Sequence, residues 1–165
     1  MQSKKLNPLR WIVTAAVFFT VILFHTSEII DISIKNATPM LLLPLITAYS
    51  FFAPLGNSIA ASLISGALID SVTMGSYCFN TIVLFLIAVA VNLIANTLFN
   101  KNIFSAATLS LLNCGGYYLL RWVSFHFFGQ TMEDSLIYLM SYALPSAIYS
   151  AVFIIPFYYL YKFLN

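Results

Sequence analysis

Five short polar breaks divide an otherwise apolar chain into six segments, and this pattern constrains the fold more than any single residue does. The breaks fall at Ser27 to Ala37, at Pro54-Leu55-Gly56-Asn57, at Ser71 to Ser76, at Asn100-Lys101-Asn102 and at Gly129 to Asp134. The segments between them read as helices over Arg10 to Thr26, Thr38 to Phe52, Asn57 to Asp70, Phe79 to Phe99, Phe104 to Phe127 and Ser135 to Tyr161. A bilayer span takes about 20 apolar residues, so a chain of 165 residues holds six spans and no sizeable soluble domain. Charge points the same way: 7% of the residues are charged, against roughly a quarter in an ordinary soluble domain. Seven Lys or Arg and five Asp or Glu do not solvate a globule of this size, which excludes a soluble enzyme. The basic residues Lys4, Lys5, Arg10, Lys35, Lys101, Arg121 and Lys162 are scattered, with no stripe that follows phosphates, so nucleic acid is not an expected partner. The expected fold is all-α: a polytopic integral membrane helical bundle of six transmembrane helices, forming one transmembrane domain over residues 1–165.

Orientation follows from the basic residues. With the N-terminus in the cytoplasm, Lys4, Lys5, Arg10, Lys101 and Lys162 all fall on the cytoplasmic side, and Glu28, Asp31, Asp70, Glu133 and Asp134 fall on or near the other. Both termini are then cytoplasmic, with the turn from Pro54 to Asn57 at the cytoplasmic surface. Trp11, Tyr158, Tyr159 and Tyr161 are expected as interfacial anchors there, with Trp122 at the opposite surface. The basic start before the apolar run Trp11 to Phe24 resembles a secretory signal, but His25-Thr26-Ser27-Glu28 is a poor cleavage site, so it reads as an uncleaved first span. In the second break, Pro54 ends a helix, Gly56 suits a left-handed turn and Asn57 or Ser58 suits a cap, which predicts a tight helical hairpin. The segment Asn57 to Asp70 covers about 21 Å, short of a hydrocarbon core of about 30 Å.

No phosphate loop, nucleophile elbow, zinc helix or Cys-x-x-Cys pair occurs. His25 and Glu28 lie one helical turn apart, but the sequence places no third ligand beside them. Cys78 and Cys114 lie in apolar surroundings and read as small hydrophobes. No cofactor is expected. Polar residues inside the spans carry more information, because in lipid they must face protein or a wet cavity. Asn80, Asn92, Asn96 and Asn113 read as interhelical hydrogen-bonding groups, with a solute pocket as the alternative. Ser58, Ala61, Ser62, Ser65, Gly66 and Ile69 follow helical spacing and form a narrow stripe on which another helix packs closely, Ser62-x-x-x-Gly66 being its centre. Gly115-Gly116 is a second small site. Asp70 and Arg121 lie at similar depth, about 20 and 26 Å along their spans. They are expected to pair, directly or through water; the alternative has Asp70 capping the loop Ser71 to Gly75 while Arg121 snorkels to the interface.

The stretch Pro39 to Ile94 resembles the core of the MreD family, small membrane proteins of the bacterial rod-shape system. An apolar helix opens at Pro39, a turn with Pro54 and Gly56 leads into a small-residue helix, and that helix closes with Gly66-Ala67-Leu68-Ile69-Asp70 and then Gly75. Met40 departs from the pattern, since the family often has an acidic residue after that proline. The resemblance implies a non-enzymatic scaffold subunit of the cytoplasmic membrane, multi-pass, without cofactor or metal. Its implied partners are an MreC-like periplasmic membrane protein, an MreB-like filament, and the glycosyltransferase and transpeptidase that build the lateral wall. Pro39, Pro54, Gly56, Ser62, Gly66, Asp70, Gly75 and Arg121 are the candidate structural or partner-contact residues. A substrate-binding subunit of an energy-coupling factor vitamin transporter is similar in size and span layout and is the alternative. Such a subunit needs an outer pocket, to which Tyr77, Asn80, Arg121, Glu133 and Tyr138 are the candidates.

Overall fold

A computed structural model describes residues 8–26, 39–72, 78–97, 102–127 and 138–164. Among these every regular element is helical: α1 (Pro8–Thr26), α2 (Leu42–Phe52), α3 (Leu55–Val72), α4 (Phe79–Thr97), α5 (Ile103–Phe127), a π-helical turn (Leu139–Ala143), α6 (Leu144–Val152) and α7 (Ile154–Leu164). The π turn, α6 and α7 form one long apolar stretch, Leu139–Leu164. Four stretches are long and apolar enough to cross a bilayer: Leu55–Val72, Phe79–Asn96, Ile103–Ser124 and Leu139–Leu164. The apolar parts of the other two, Arg10–Thr26 and Leu42–Phe52, are shorter.

Of the second and third helices, α2 is short, whereas α3 is longer than the segment Asn57 to Asp70. The expected start at Thr38 lies outside the described residues, and Pro39 and Met40 precede the helix, leaving 11 helical residues, about 16 Å of rise. Every residue from Leu42 to Phe51 is buried, because α3, α4, α5, α6, α7 and α1 all pack against it. A helix apolar all round is what such enclosure requires. Ala53 is extended (φ −84°, ψ 154°), since the ring of Pro54 disfavours helical backbone in the preceding residue.

The Pro54 carbonyl then accepts from the amides of Asn57 and Ser58 at 3.1 Å each, and α3 starts at Leu55. Neither Asn57 nor Ser58 is the cap: Ser58 Oγ donates back to the Pro54 carbonyl at 3.2 Å. Gly56 lies within the first turn of α3, with nothing within 4 Å of a Cβ built on it, so no left-handed turn is needed there. With 18 residues, α3 rises about 27 Å, close to the thickness of a hydrocarbon core.

At the end of the bundle holding the α2–α3 turn, aromatic side chains fill the core. Phe18 meets Tyr49 edge-on at 5.5 Å, Tyr49 meets Tyr161 at 5.3 Å, and Tyr158 lies against Phe51 and Phe52 at 6.2 and 5.3 Å. Tyr158 and Tyr161 are therefore buried rather than interfacial, because the face of α7 that carries them is packed on α2; Tyr159 and Trp11 are exposed. Lys162 Nζ lies 6.0 Å from the centre of the Tyr158 ring.

Candidate functional site

The stripe on α3 is its buried face. Ser58, Ser62, Ser65, Gly66 and Ile69 are all buried, Ala61 is half-buried, and the helix they pack against is α4 of the same chain. The serine hydroxyls turn back to their own helix: Ser62 Oγ donates to the Ile59 carbonyl at 2.9 Å and Ser65 Oγ to that of Ala61 at 2.6 Å. Satisfied in this way, they present a smooth surface to the neighbouring backbone. Gly66 marks the closest approach. A Cβ placed there would lie 2.5 Å from Thr81 Cα and 3.0 Å from Thr81 N, and both are backbone atoms.

One turn beyond Gly66, Asp70 meets the first turn of α4. Asn80 donates to Asp70 Oδ1 from its backbone amide at 3.2 Å and from Nδ2 at 2.8 Å. Thr81 donates to Oδ2 from its backbone amide at 2.8 Å and from Oγ1 at 2.6 Å. The Cys78 carbonyl accepts from the Ile82 amide, which makes Cys78 the residue in the cap position of α4. A cap side chain usually takes the amides two and three residues further on. Here those amides belong to Asn80 and Thr81, and the carboxylate comes from another helix. Cys78 has a positive φ of 55° and is exposed, so it is not the buried hydrophobe its surroundings in the sequence suggested; Cys78 and Cys114 are both free thiols. Gly66 and Asp70 thus act together, the glycine bringing the two backbones close and the aspartate closing the exposed helix end.

The network continues into α5. Tyr117 OH donates to Asn80 Oδ1 at 2.6 Å, and the Arg121 guanidinium hydrogen-bonds the Tyr117 hydroxyl. Tyr138 and Tyr142, stacked at 5.0 Å, also neighbour Arg121. Asp70 and Arg121 are therefore joined through two neutral side chains, Asn80 and Tyr117. Nothing local in the sequence predicts that route, although a polar pair, Asn80-Thr81, at the very start of an apolar span was the available signal.

At the other end, Asn92 performs the converse task for α2. Its Nδ2 donates to the Ser50 carbonyl at 3.0 Å and the Ala53 carbonyl at 2.8 Å, and its Oδ1 accepts from Asn96 Nδ2 at 3.0 Å. Midway, Asn113 Nδ2 donates to Thr47 Oγ1 at 3.3 Å. Asn80, Asn92 and Asn113 thus bond to other helices or helix ends, whereas Asn96 bonds to Asn92 of its own helix. Of the other candidates, Pro39 is half-buried beside Met40, whose amide donates to Ser150 Oγ at 2.9 Å; Pro54 and Gly56 are exposed. Gly75 and the pocket candidates Tyr77 and Glu133 lie outside the described residues, as does Glu28. Among the described residues no group of three His, Cys, Asp or Glu is gathered to hold a metal ion.

The family model for the rod shape-determining protein MreD matches residues 6–165. The chain belongs to the MreD family. It is accordingly a membrane protein of the rod-shape system, a family of structural rather than enzymatic proteins. None of the curated proteins and none of the solved structures compared with it matches, so the likeness to vitamin-transporter subunits has no structural neighbour behind it. In this MreD-family chain, the segment from Gly66 to Asp70, part of the pattern on which the resemblance rests, is docked on α4.

Proposed function

We propose that this chain is a non-enzymatic scaffold subunit of the cell-wall elongation machinery, linking an MreC-like periplasmic membrane protein, an MreB-like filament and the wall-building glycosyltransferase and transpeptidase. The observation that carries this reading is the use made of the family's motif: Gly66 and Asp70 lock one helix onto the end of the next and so fix the shape of the bundle. Rigid helix faces of defined relative position are what an adaptor offers its partners. In this reading all six helical segments count as spans, α2 being carried inside the others, and the Asp70 end faces outward with both termini in the cytoplasm.

Crosslinking in cells followed by purification of this chain tests the assignment. An MreC-like partner is expected to be captured; a vitamin in the purified protein with no such partner would replace the scaffold by the transporter reading. For the orientation, cysteine at Asn57 in a background lacking Cys78 and Cys114 is expected to react with an impermeant thiol reagent from the cytoplasmic side. Labelling from outside alone reverses the proposed topology.

A further inference from the structure

The last apolar stretch is jointed at two places, and a proline accounts for each. In the π turn the Leu144 amide reaches back to the Leu139 carbonyl, while Pro145, next in the chain, has no amide to offer the Ser141 carbonyl. At the other end of α6, the Phe153 amide bonds the Ser150 carbonyl at 3.1 Å, a tightened turn with ψ near zero (φ −68°, ψ −5°). Pro156 has no amide for the Val152 carbonyl, so rotation about Phe153 breaks no helical bond at that carbonyl.

The two halves on either side of Phe153 are held differently. The buried residues of α7 are Ile154, Tyr158 and Tyr161, and both tyrosines lie in ring contact with aromatic residues of α2. Those of α6 are Ser146, Ala147, Ser150 and Ala151. Dispersion grows with the number of atoms in contact, and between helices in lipid no expulsion of water adds to it. The α6 face brings only small side chains to its contacts and no ring interlocks with a neighbour, so it has fewer side-chain atoms to separate than the α7 face has. It carries a clasp at Ser150, whose Oγ accepts from the Met40 amide at 2.9 Å, donates to the Ser146 carbonyl at 2.7 Å and hydrogen-bonds Tyr118 of α5.

The geometry points to a hinged strap: α6 pivots about Phe153 and parts from α5 while α7 stays docked on α2. A reporter is already in place. Cys114 is fully buried, one turn before Tyr118 on the same face of α5, and Ala106, also fully buried, lies two turns further toward the α7 end of that face.

Labelling with N-ethylmaleimide under native conditions, on the full chain in detergent, tests the strap. The Cys78→Ser protein reports on Cys114, and the Cys78→Ser, Cys114→Ser, Ala106→Cys protein reports on the region held by α7; each rate is divided by the rate in the denatured protein. Cys114 is expected to label about tenfold faster than the cysteine at 106, because sub-global opening is more frequent than global opening. Ser150→Ala releases the clasp and should widen the ratio. Pro156→Ala restores the missing donor and should narrow it. If the Ala106→Cys protein does not fold, the global unfolding rate of the Cys78→Ser protein measured in sodium dodecyl sulfate serves as the reference. Equal rates at the two reporters, labelling of Cys114 no faster than global unfolding, or a ratio that Pro156→Ala leaves unchanged would each overturn the strap.

Discussion

The start of α4 and the end of α2 meet the same difficulty with opposite chemistry. Each is a helix end packed against another helix, with backbone groups that its own helix leaves open. At the start of α4 the open groups are amide donors, and an acceptor-only carboxylate, Asp70, takes two backbone amides and two side chains. At the end of α2 they are carbonyls, and a neutral amide donor, Asn92, takes two of them. The donor end receives a charge, which the partial positive charge of a helix N-terminus favours. The acceptor end receives a dipole. The second difference is distance: the carboxylate arrives only because Gly66 removes the atoms that would hold α3 off α4.

Breaking the charged end should cost most when spacing and cap are lost together. Gly66→Leu forces the backbones apart, adding overpacking of about 1–3 kcal/mol to a lost cap of about 0.5–2 kcal/mol. Thermal unfolding in detergent should register it as the least stable of these variants, and a midpoint like that of the parent would mean the two helices are not held at this spacing. Asp70→Ala removes the cap alone and should cost about 2 kcal/mol, the upper end of the capping range because four donors lose their acceptor. Asp70→Asn keeps one acceptor and should recover about half of that; an asparagine variant as unstable as the alanine one would show that charge, not hydrogen bonding, dominates.

The neutral end should be the weaker of the two. Asn92→Leu leaves the Ser50 and Ala53 carbonyls without their side-chain donor, at about 0.6–1.7 kcal/mol by the range found for hydrogen bonds between helices in membranes. Asn92→Asp sharpens the contrast, since it sets an acceptor against two acceptors and should be worse than Asn92→Leu although it is nearer in shape. An aspartate variant more stable than the leucine one would contradict the assigned donor. The smallest effect is expected at Gly115, where a Cβ meets nothing within 4 Å: Gly115→Ala should raise stability by about 0.4–1 kcal/mol through the unfolded chain, against the loss at Gly66.

Much of this was legible in the sequence, and the part that was not has a definite cause. The helices appear because apolar runs and their breaks record which residues avoid water, and the stripe from Ser58 to Ile69 was visible because helical spacing puts its members on one face. Asp70 stood out as a charge within a span. Its partners did not, because capping patterns are read within a few residues of a helix start, and Asn80 and Thr81 lie ten and eleven positions away across a turn. The start of α3 was misplaced because Asn57 looks like a cap on local grounds, whereas Pro54, with its fixed φ, already supplies the first accepting carbonyl. The burial of Tyr158 and Tyr161 was equally out of reach: an aromatic residue near a terminal lysine has the same local pattern whether it faces lipid headgroups or the interior.

The enclosure of α2 has a consequence for how the chain is made. An 11-residue apolar helix is too short to be laid across a bilayer by itself, and the amide of Met40 finds its partner at Ser150, 110 residues downstream. Contacts of such sequence separation form late, since the loop between them must close first. A ribosome that has delivered the first two-thirds of this protein has therefore produced helices around an occupant whose lodging is unfinished, and the native arrangement is reached only after the final helix emerges. Truncation near the C-terminus should accordingly unsettle α2, the helix that all the others enclose.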